Sequence, residues 1–290
     1  MALKILARKD ELGNSASHFF KSGNVLRNPQ NTALKMRGVL PDKGLYKTNL
    51  EYDLWYDIGG REKIHGYVYT DMLSDYLYLK PANKFFADKA MVDSLDHEPT
   101  EEGERLVSCL SEGVLDKYRL RPRTSSYDFV IFLPGTNIIE KAMDGGKVKR
   151  AVDQGAVLKP HPISSVSLIQ SLKKSFGDQN VLGKKESGHQ LLRESKIVGC
   201  CANSEMGLAA IAADKGFHLF TTDFNQHFTY SSIYKAVLRG GNYKDNLTRL
   251  FSSPFSGIVG DKSPDKIDRI AAFFNQFSEV PHVEPKNSNT

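Results

Sequence analysis

Residues 128–137 read DFVIFLPGTN, an apolar run that ends in a Pro-Gly turn and leads into a helical pattern at 138–153. The same alternation of short apolar runs and helical stretches continues to residue 222. Parallel strands need long crossover connections, so this alternation predicts a parallel sheet covered by helices. The predicted strands are 128–133, 156–159, 180–182, 196–201 and 218–222, and the predicted helices between them are 138–153, 165–176, 188–194 and 205–215. We therefore predict an α/β fold whose C-terminal part is a doubly wound parallel sheet.

The first half of the chain is less regular and predicts a smaller N-terminal α/β domain. The basic, proline-containing stretch RLRPRTSS at 119–126 is the predicted linker, which gives a domain at 1–125 and another at 126–280. Residues 281–290 are polar and predict a flexible tail. The remaining predicted elements are strands at 4–7 and 64–69 and helices at 83–95, 104–118, 231–238, 244–251 and 265–277.

Composition and net charge indicate which partners and which cellular compartment to expect. The chain has 290 residues and a formal net charge of +5, which favours phosphate-bearing or polyanionic partners without requiring them. Its three cysteines, Cys109, Cys200 and Cys201, do not form an even disulfide framework or a paired metal motif, so we interpret them as buried apolar residues of a cytoplasmic protein. No apolar stretch reaches the roughly 20 residues that a membrane helix needs, so we expect no membrane insertion.

The first strand-to-helix turn contains Gly135 and Thr136. In an open parallel sheet, ligands bind outside the carboxyl ends of the strands, so these turns are the candidate binding sites. Gly135 would let the backbone approach a ligand closely, and the hydroxyl of Thr136 would lie beside the next helix. A Pro-Gly turn is also common as a purely structural element.

The second turn is VLKPHPISS at 157–165. His161 lies between two prolines, which hold the backbone extended and fix the direction of the ring. Ser164 or Ser165 can cap the following helix, whose N-terminus, together with Lys159, could receive a phosphate. The alternative is a histidine that bonds a local carbonyl, beside serines that only cap the helix.

The third turn is CANSEMGLAA at 201–210. Ser204 is in capping position, Asn203 precedes it, and Glu205 falls in the first turn of the helix. A carboxylate at this place can accept hydrogen bonds from the two vicinal hydroxyls of a ribose. The alternative role of Glu205 is a favourable negative charge at a helix N-terminus.

The runs VLKPHP at 157–162 and NSEMGLAAIAADKG at 203–216 resemble the C-terminal nucleotide-sugar domain of GT-B-type glycosyltransferases, particularly the capsule-polysaccharide and bacterial sialyltransferase-like group. The resemblance covers about residues 128–223. It implies a GT-B-like fold and a nucleotide-sugar donor, with a UDP-sugar favoured and no other cofactor. It implies that His161 contacts the phosphate or nucleotide, Ser204 the phosphate, and Glu205 or Asn203 the ribose, with Thr136 facing the same cleft.

Glycosyl transfer needs a general base and a way to neutralise the departing phosphate. The sequence contains no Asp-x-Asp, so we expect no metal site. For the base, EYDLWYDIGG at 51–60 interleaves carboxylates with aromatic rings, as sugar pockets do. We choose Asp57 as the catalytic residue, with His65 and Asp71 as further candidates. The alternative is a plain strand with its tryptophan in the core and its acids in solvent.

The acceptor is left open between a nucleic acid and a glycan. A small basic chain with clusters at 119–123 and 147–150 resembles in general character the phage enzymes that glycosylate hydroxymethylated pyrimidines in DNA. That resemblance implies double-stranded DNA as a partner, in the cytoplasm of a bacterium or a phage-infected host. The alternatives are a transferase that makes surface polysaccharide and a nucleotide-binding module without catalysis.

Overall fold

The computed structural model describes residues 51–57, 63–71, 76–81, 83–112, 126–136, 138–221, 223–225, 228–260, 263–265, 268–269, 272–273 and 276. The strands in these ranges are β1 Glu51–Asp57, β2 Lys63–Asp71, β3 Tyr76–Pro81, β4 Phe129–Phe132, β5 Val157–Lys159, β6 Ile197–Cys200, β7 Gly216–Leu219 and β8 Ile258–Gly260. The helices are α1 Lys84–Asp93, α2 Glu101–Glu112, α3 Ile139–Ala142, α4 Gly145–Asp153, α5 Val166–Phe176, α6 Gly188–Glu194, α7 Met206–Ala212, α8 Ser231–Val237 and α9 Tyr243–Ser252. Short 3-10 turns lie at Ser94–Asp96, Asp178–Asn180 and Arg239–Gly241.

A four-stranded parallel sheet forms the centre of the second half of the chain. Its order is β5-β4-β6-β7, and all three pairings are parallel. This confirms the predicted mixed α/β class with a parallel sheet and helices. The stretch predicted as a strand at 180–182 contributes one isolated parallel bridge, between Val181 and Leu158.

The strand predicted at 218–222 begins earlier than expected. Ile197 on β6 pairs with Gly216, so β7 begins at that glycine. The pairing of the two strands ends at Leu219. Glycine has a low strand propensity, so a prediction based on apolar runs placed the start of this strand too late.

A second, antiparallel sheet has the order β1-β2-β3-β8. The strand β8 comes from the far end of the chain and completes the sheet of the first half. Gly257 precedes it at φ +76°, and a Cβ atom there would lie 2.3 Å from the carbonyl oxygen of Leu79. Only glycine allows the two backbones to approach this closely, and the amide of Leu79 donates to the Gly257 carbonyl at 2.8 Å.

Helices pack the two sheets together. The helix α2 packs on α7 and α9, and α1 packs on α8. One continuous hydrophobic cluster includes Tyr76 and Leu106 from the first half and Val130 and Leu208 from the second. The ranges predicted as separate domains therefore share a core and a sheet, and the predicted linker lies mostly outside the described residues.

Several predicted elements have slightly different ends in the structure. The helix α1 begins after Asn83, whose side chain accepts from the amide of Phe85. The helix α2 begins three residues earlier than predicted because Thr100 caps it, accepting from the amide of Gly103 at 3.2 Å. The predicted strand at 4–7 and the tail lie outside the described residues, as does most of the predicted helix at 265–277. A GT-B-like architecture is not shown, since the first-half sheet among the described elements is antiparallel.

Candidate functional site

The three turns selected from the sequence lie at one edge of the parallel sheet. They follow the carboxyl ends of β4, β5 and β6, which are direct neighbours. The chain passes from β4 to β5 on one side and returns to β6 on the other side of β4, so the strand order reverses at β4. Reversal points of this kind form the crevice in which open parallel sheets bind ligands.

The first and second turns are joined by a hydrogen bond. The hydroxyl oxygen of Thr136 accepts from the backbone amide of Ser165 at 2.9 Å. Ser165 is the N-cap of α5, because its own hydroxyl accepts from the amide of Leu168 at 3.2 Å. Gly135 is buried and Thr136 is exposed. Thr136 thus holds the N-terminus of α5 against the turn that follows β4.

His161 is half-buried in the second turn, between its two prolines. Its Nδ1 atom accepts a hydrogen bond from the amide of Ile163 at 3.3 Å. A neutral imidazole that accepts at Nδ1 carries its proton at Nε2. The local backbone therefore selects the tautomer in which Nε2 can donate to an anion.

Ser164 lies beside His161 and is only 1% exposed. Its amide donates to the His161 carbonyl at 2.9 Å, and its carbonyl accepts from Lys184 Nζ at 2.8 Å. Within the described part of the chain, its buried hydroxyl has no hydrogen-bond partner. Buried hydroxyls in folded proteins are nearly always bonded, so this one is a group that a ligand could satisfy.

Lys159 has a structural role in this geometry. It is 2% exposed, and its ammonium donates to the carbonyls of Pro160 at 2.8 Å and Lys184 at 3.1 Å. These bonds fasten the second turn to the loop before α6. The direct phosphate contact expected of Lys159 would require its ammonium to leave these carbonyls.

The third turn is fixed by bonds to the segment around α8. Asn203 Oδ1 accepts from the amide of Thr229 at 2.7 Å. The Ser204 hydroxyl accepts from the amide of Met206 at 3.3 Å, and the Ser204 carbonyl accepts from Tyr234 Oη at 2.6 Å. Asn203 and Ser204 thus fix the shape of the turn, and both residues lie at the carboxyl edge of the parallel sheet.

Glu205 is bonded to a residue from the other sheet. Glu205 as a whole is 9% exposed, and its Oε1 atom accepts from the phenol of Tyr76 at 2.7 Å. The Tyr76 ring packs edge-on against Phe251, with centroids 5.2 Å apart. Sequence reasoning missed Tyr76, because 129 residues separate it from Glu205 and no local pattern reports that contact.

A close-packed group lies under the third turn. A Cβ atom on Gly207 would lie 2.3 Å from Tyr234 Oη and 2.5 Å from Cys200 Sγ, so glycine is required here. Burial raises the pKa of Cys200 and of Tyr234 well above their ordinary values, and it raises the pKa of Cys201 to about 11. These thiols stay protonated at neutral pH and behave as buried packing groups.

The strand register locates the candidate bases relative to this edge. Asp57 pairs with Lys63, His65 pairs with Trp55, and Asp71 pairs with Tyr76. Lys63 and Asp71 are eight residues apart on β2, which is about 26 Å along an extended strand. Asp71 is therefore next to the residue that bonds Glu205, whereas Asp57 lies at the opposite end of the sheet. Side chains of β1 and β2 are outside the description.

The chain has no match among known protein families, curated proteins or solved structures. No helix in the described ranges is long and apolar enough to cross a bilayer. Among the same residues, His, Cys, Asp and Glu side chains form no group of three that could hold a metal ion.

Proposed function

We propose that this chain is a nucleotide-sugar-dependent glycosyltransferase whose donor binds over the carboxyl ends of β4, β5 and β6. One observation carries the proposal: the three turns with ligand-binding residue types follow three adjacent parallel strands, and the strand order reverses at β4, the middle strand of the three. If Val181 is counted as a fifth strand position, the order becomes 3-2-1-4-5, which is the order of nucleotide-binding doubly wound sheets. This order supports a GT-B-like donor domain.

The diphosphate of the donor is assigned to the second turn. His161 would donate from Nε2, and the buried hydroxyl of Ser164 would gain the partner it lacks in the described structure. The helix α5 points its N-terminus to this edge and favours negative charge there. Gly135 and Thr136 would form the wall opposite, while Glu205 in the third turn would accept from the ribose hydroxyls.

The reaction joins an acceptor hydroxyl oxygen to the anomeric carbon of the sugar. The bond from that carbon to the phosphate oxygen breaks, and the nucleotide leaves with the electron pair. A general base takes the acceptor proton. His161 and the dipole of α5 would stabilise the charge that develops on the leaving phosphate.

The base is assigned to a carboxylate of the first half. From the sequence we choose Asp57, and the pairing of Asp71 with Tyr76 supports Asp71 as a second candidate. We carry both into experiment and favour Asp71, because a base must lie within hydrogen-bond reach of the acceptor beside the donor.

For the acceptor we propose a hydroxymethylated pyrimidine in DNA. Lys147, Lys149 and Arg150 are exposed on α4. Lys147 pairs with Asp144 at 3.7 Å and Lys149 with Asp153 at 3.1 Å. Exposed pairs of this kind contribute at most about 1 kcal/mol, so DNA phosphates could replace them. The binding would be salt-sensitive, and the target base would have to leave the stack.

The test supplies UDP-, GDP-, CMP- and ADP-linked sugars with three acceptors: hydroxymethylated DNA, unmodified DNA of the same sequence, and bacterial surface glycans. Mass spectrometry of the acceptor reads the transfer. A sugar found only on hydroxymethylated DNA supports the whole proposal. Transfer only to glycan would keep the transferase and overturn the DNA acceptor. Nucleotide binding without donor hydrolysis or transfer would identify a non-catalytic module, and no binding would overturn the donor site.

A further inference from the structure

Two apolar side chains beside the second turn face solvent. Ile163 is 64% exposed and Val166 is 65% exposed. They lie on either side of Ser165, the N-cap of α5, and they closely follow His161 in the chain. Among the large hydrophobic residues that are exposed in the described chain, only these two lie within three positions of each other. Single exposed apolar residues are ordinary, whereas a pair at the mouth of a crevice is a candidate contact with another molecule.

The backbone that carries this apolar pair is fixed by three hydrogen bonds. The amide of Ile163 donates to His161 Nδ1 at 3.3 Å. The carbonyl of Ser164 accepts from Lys184 Nζ at 2.8 Å, and the amide of Ser165 donates to the Thr136 hydroxyl at 2.9 Å. The two side chains are therefore presented from a defined position, as a functional contact requires.

The small size of the apolar pair limits what can cover it. A stable dimer interface buries about 800 Å² on each partner, and a helix that lies on a membrane needs an apolar face along its length. The exposed residues of α5 after Val166 are all polar: Ser167, Gln170, Ser171, Lys174 and Ser175. One or two apolar side chains are too few for either partner. They are enough to enter the base stack of a duplex, as the apolar wedges of DNA-bending proteins do.

The charge beside the apolar pair also suits a duplex. The chain moves from β4 to β5 and on to Val181 in one direction across the sheet. Right-handed crossovers then place α4 and α5 on the same face. The helix α4 exposes Lys147, Lys149 and Arg150, while α5 exposes Lys174 and contains no acidic residue. This face can bind the phosphates of DNA beside the apolar pair.

We propose that Ile163 and Val166 form an apolar wedge that enters the base stack of duplex DNA next to the hydroxymethylated pyrimidine. The wedge fills the space that this base leaves and keeps it out of the stack while its hydroxyl receives the sugar. The inference rests on the proposed function and adds the residues that present the acceptor. Because the wedge acts against stacking, it is needed only for acceptors whose target base is stacked.

The test compares wild type with the double variant Ile163→Ser/Val166→Ser on three acceptors that contain hydroxymethylcytosine: a matched duplex, the same strand alone, and a duplex with an abasic site opposite the target. On the matched duplex the double variant should lose about tenfold or more in kcat/KM. On the other two acceptors it should stay within about twofold of wild type, because the target base is already free or weakly held.

Two further measurements separate the wedge from the donor site. Both substitutions keep the backbone amide that bonds His161, so calorimetry should give the double variant the wild-type Kd for nucleotide. A fluorescent base analogue beside the target reports unstacking in the matched duplex. Its fluorescence should rise with wild type and not with the double variant.

Phe255→Ser is the matched control. Phe255 is a 43% exposed apolar residue outside the three turns. Its loss should leave transfer to all three acceptors, and the fluorescence change, at the wild-type level.

Three results would overturn the wedge. The double variant could match wild type on the matched duplex, or it could lose the same factor on all three acceptors, which would mean that the pair supports the donor site or the fold. Binding of wild type to anionic lipid vesicles that the double variant loses, with duplex transfer unchanged, would assign the pair to a lipid surface instead. A wild type that binds nucleotide and modifies none of the three DNA acceptors would remove the proposed DNA acceptor, and the wedge with it.

Discussion

The Thr136 hydroxyl accepts a hydrogen bond from the Ser165 backbone amide at 2.9 Å, which ties the turn after β4 to the cap of α5. The two residues lie in the turns that follow two neighbouring parallel strands and are 29 positions apart. This bond joins two of the three turns that we assign to the donor. The geometry of the proposed phosphate site therefore depends on a residue that faces solvent.

Replacing Thr136 by Val should weaken nucleotide binding without unfolding the protein. Valine keeps the shape of the side chain and removes the acceptor of the Ser165 amide, so we expect the Kd for the best nucleotide to rise about fivefold. Calorimetry measures this change. Thr248→Val, on α9, removes a hydroxyl that donates to the Lys244 carbonyl at 2.9 Å and should leave the Kd unchanged. Equal Kd values for wild type and Thr136→Val would contradict the assigned crevice.

The two candidate bases should separate in steady-state kinetics. Asp71 pairs with Tyr76, whereas Asp57 pairs with Lys63 at the other end of the sheet. Asp71→Asn should lower kcat by about a hundredfold or more and spare donor binding, since loss of a general base typically costs this much. Asp57→Asn should retain most of the activity. A large loss of kcat in Asp57→Asn with an active Asp71→Asn would instead identify Asp57 as the base. It would also show that the strand register does not indicate which end of the sheet lies at the acceptor.

Gly207 should tolerate no side chain. A Cβ atom there would meet Tyr234 Oη at 2.3 Å and Cys200 Sγ at 2.5 Å, both in the buried core. Gly207→Ala should lower the free energy of unfolding by about 1–3 kcal/mol in urea titrations. Gly145→Ala is the control, because a Cβ atom at the start of α4 meets nothing within 4 Å. A fully stable Gly207→Ala would mean that α7 packs on β6 differently.

The cysteines should differ in reactivity and give a pH dependence of known sign. Cys200 and Cys201 are buried and Cys109 is half-buried. At pH 8, a thiol reagent should modify one thiol per native chain rapidly and all three after denaturation. Burial raises the pKa of Cys201 from 9.0 to about 11, so the native state retains this proton longer than the unfolded chain does.

The Cys201 contribution to stability is therefore full below pH 9 and falls as the pH rises towards 11. Urea titrations of wild type and Cys201→Ala between pH 8 and pH 11 measure this contribution. It is the difference between the two proteins in the slope of the free energy of unfolding against pH. Rapid modification of two or three native thiols, or a wild-type slope equal to that of Cys201→Ala, would contradict the buried placement.

The sequence predicted those structural features that depend on residues close together along the chain. Apolar runs such as 128–133 and 196–201, each followed by a helical pattern, identified the parallel sheet because strand and helix periodicities are local properties. The same reasoning identified the three turns, since proline, glycine and capping serines act within a few residues. The error at the start of β7 arose because Gly216 is a strand residue by pairing and not by propensity.

What the sequence missed depends on contacts between distant segments. The pairing of Tyr78 with Ile258 completes the first-half sheet with a strand from the C-terminal end of the described chain. Nothing within 76–81 or 258–260 reports that pairing. The bond from Tyr76 to Glu205 is of the same kind, and so is the use of Lys159 by two backbone carbonyls. The sequence suggested a phosphate contact for Lys159 because this residue ends a predicted strand beside the N-terminus of the next helix.

The most direct test of the donor site is a thermal-shift and calorimetric comparison of wild type, His161→Ala and His97→Ala with UDP-, GDP-, CMP- and ADP-linked sugars. A ligand that binds the native state raises the melting temperature. His97 precedes α2 and lies outside the three turns, so its variant controls for the loss of an imidazole. We predict that one nucleotide class raises the melting temperature of wild type and His97→Ala, and that His161→Ala weakens its binding about tenfold or more. Binding of equal strength in all three proteins, or none in wild type, would contradict a nucleotide-sugar site at the carboxyl ends of β4, β5 and β6.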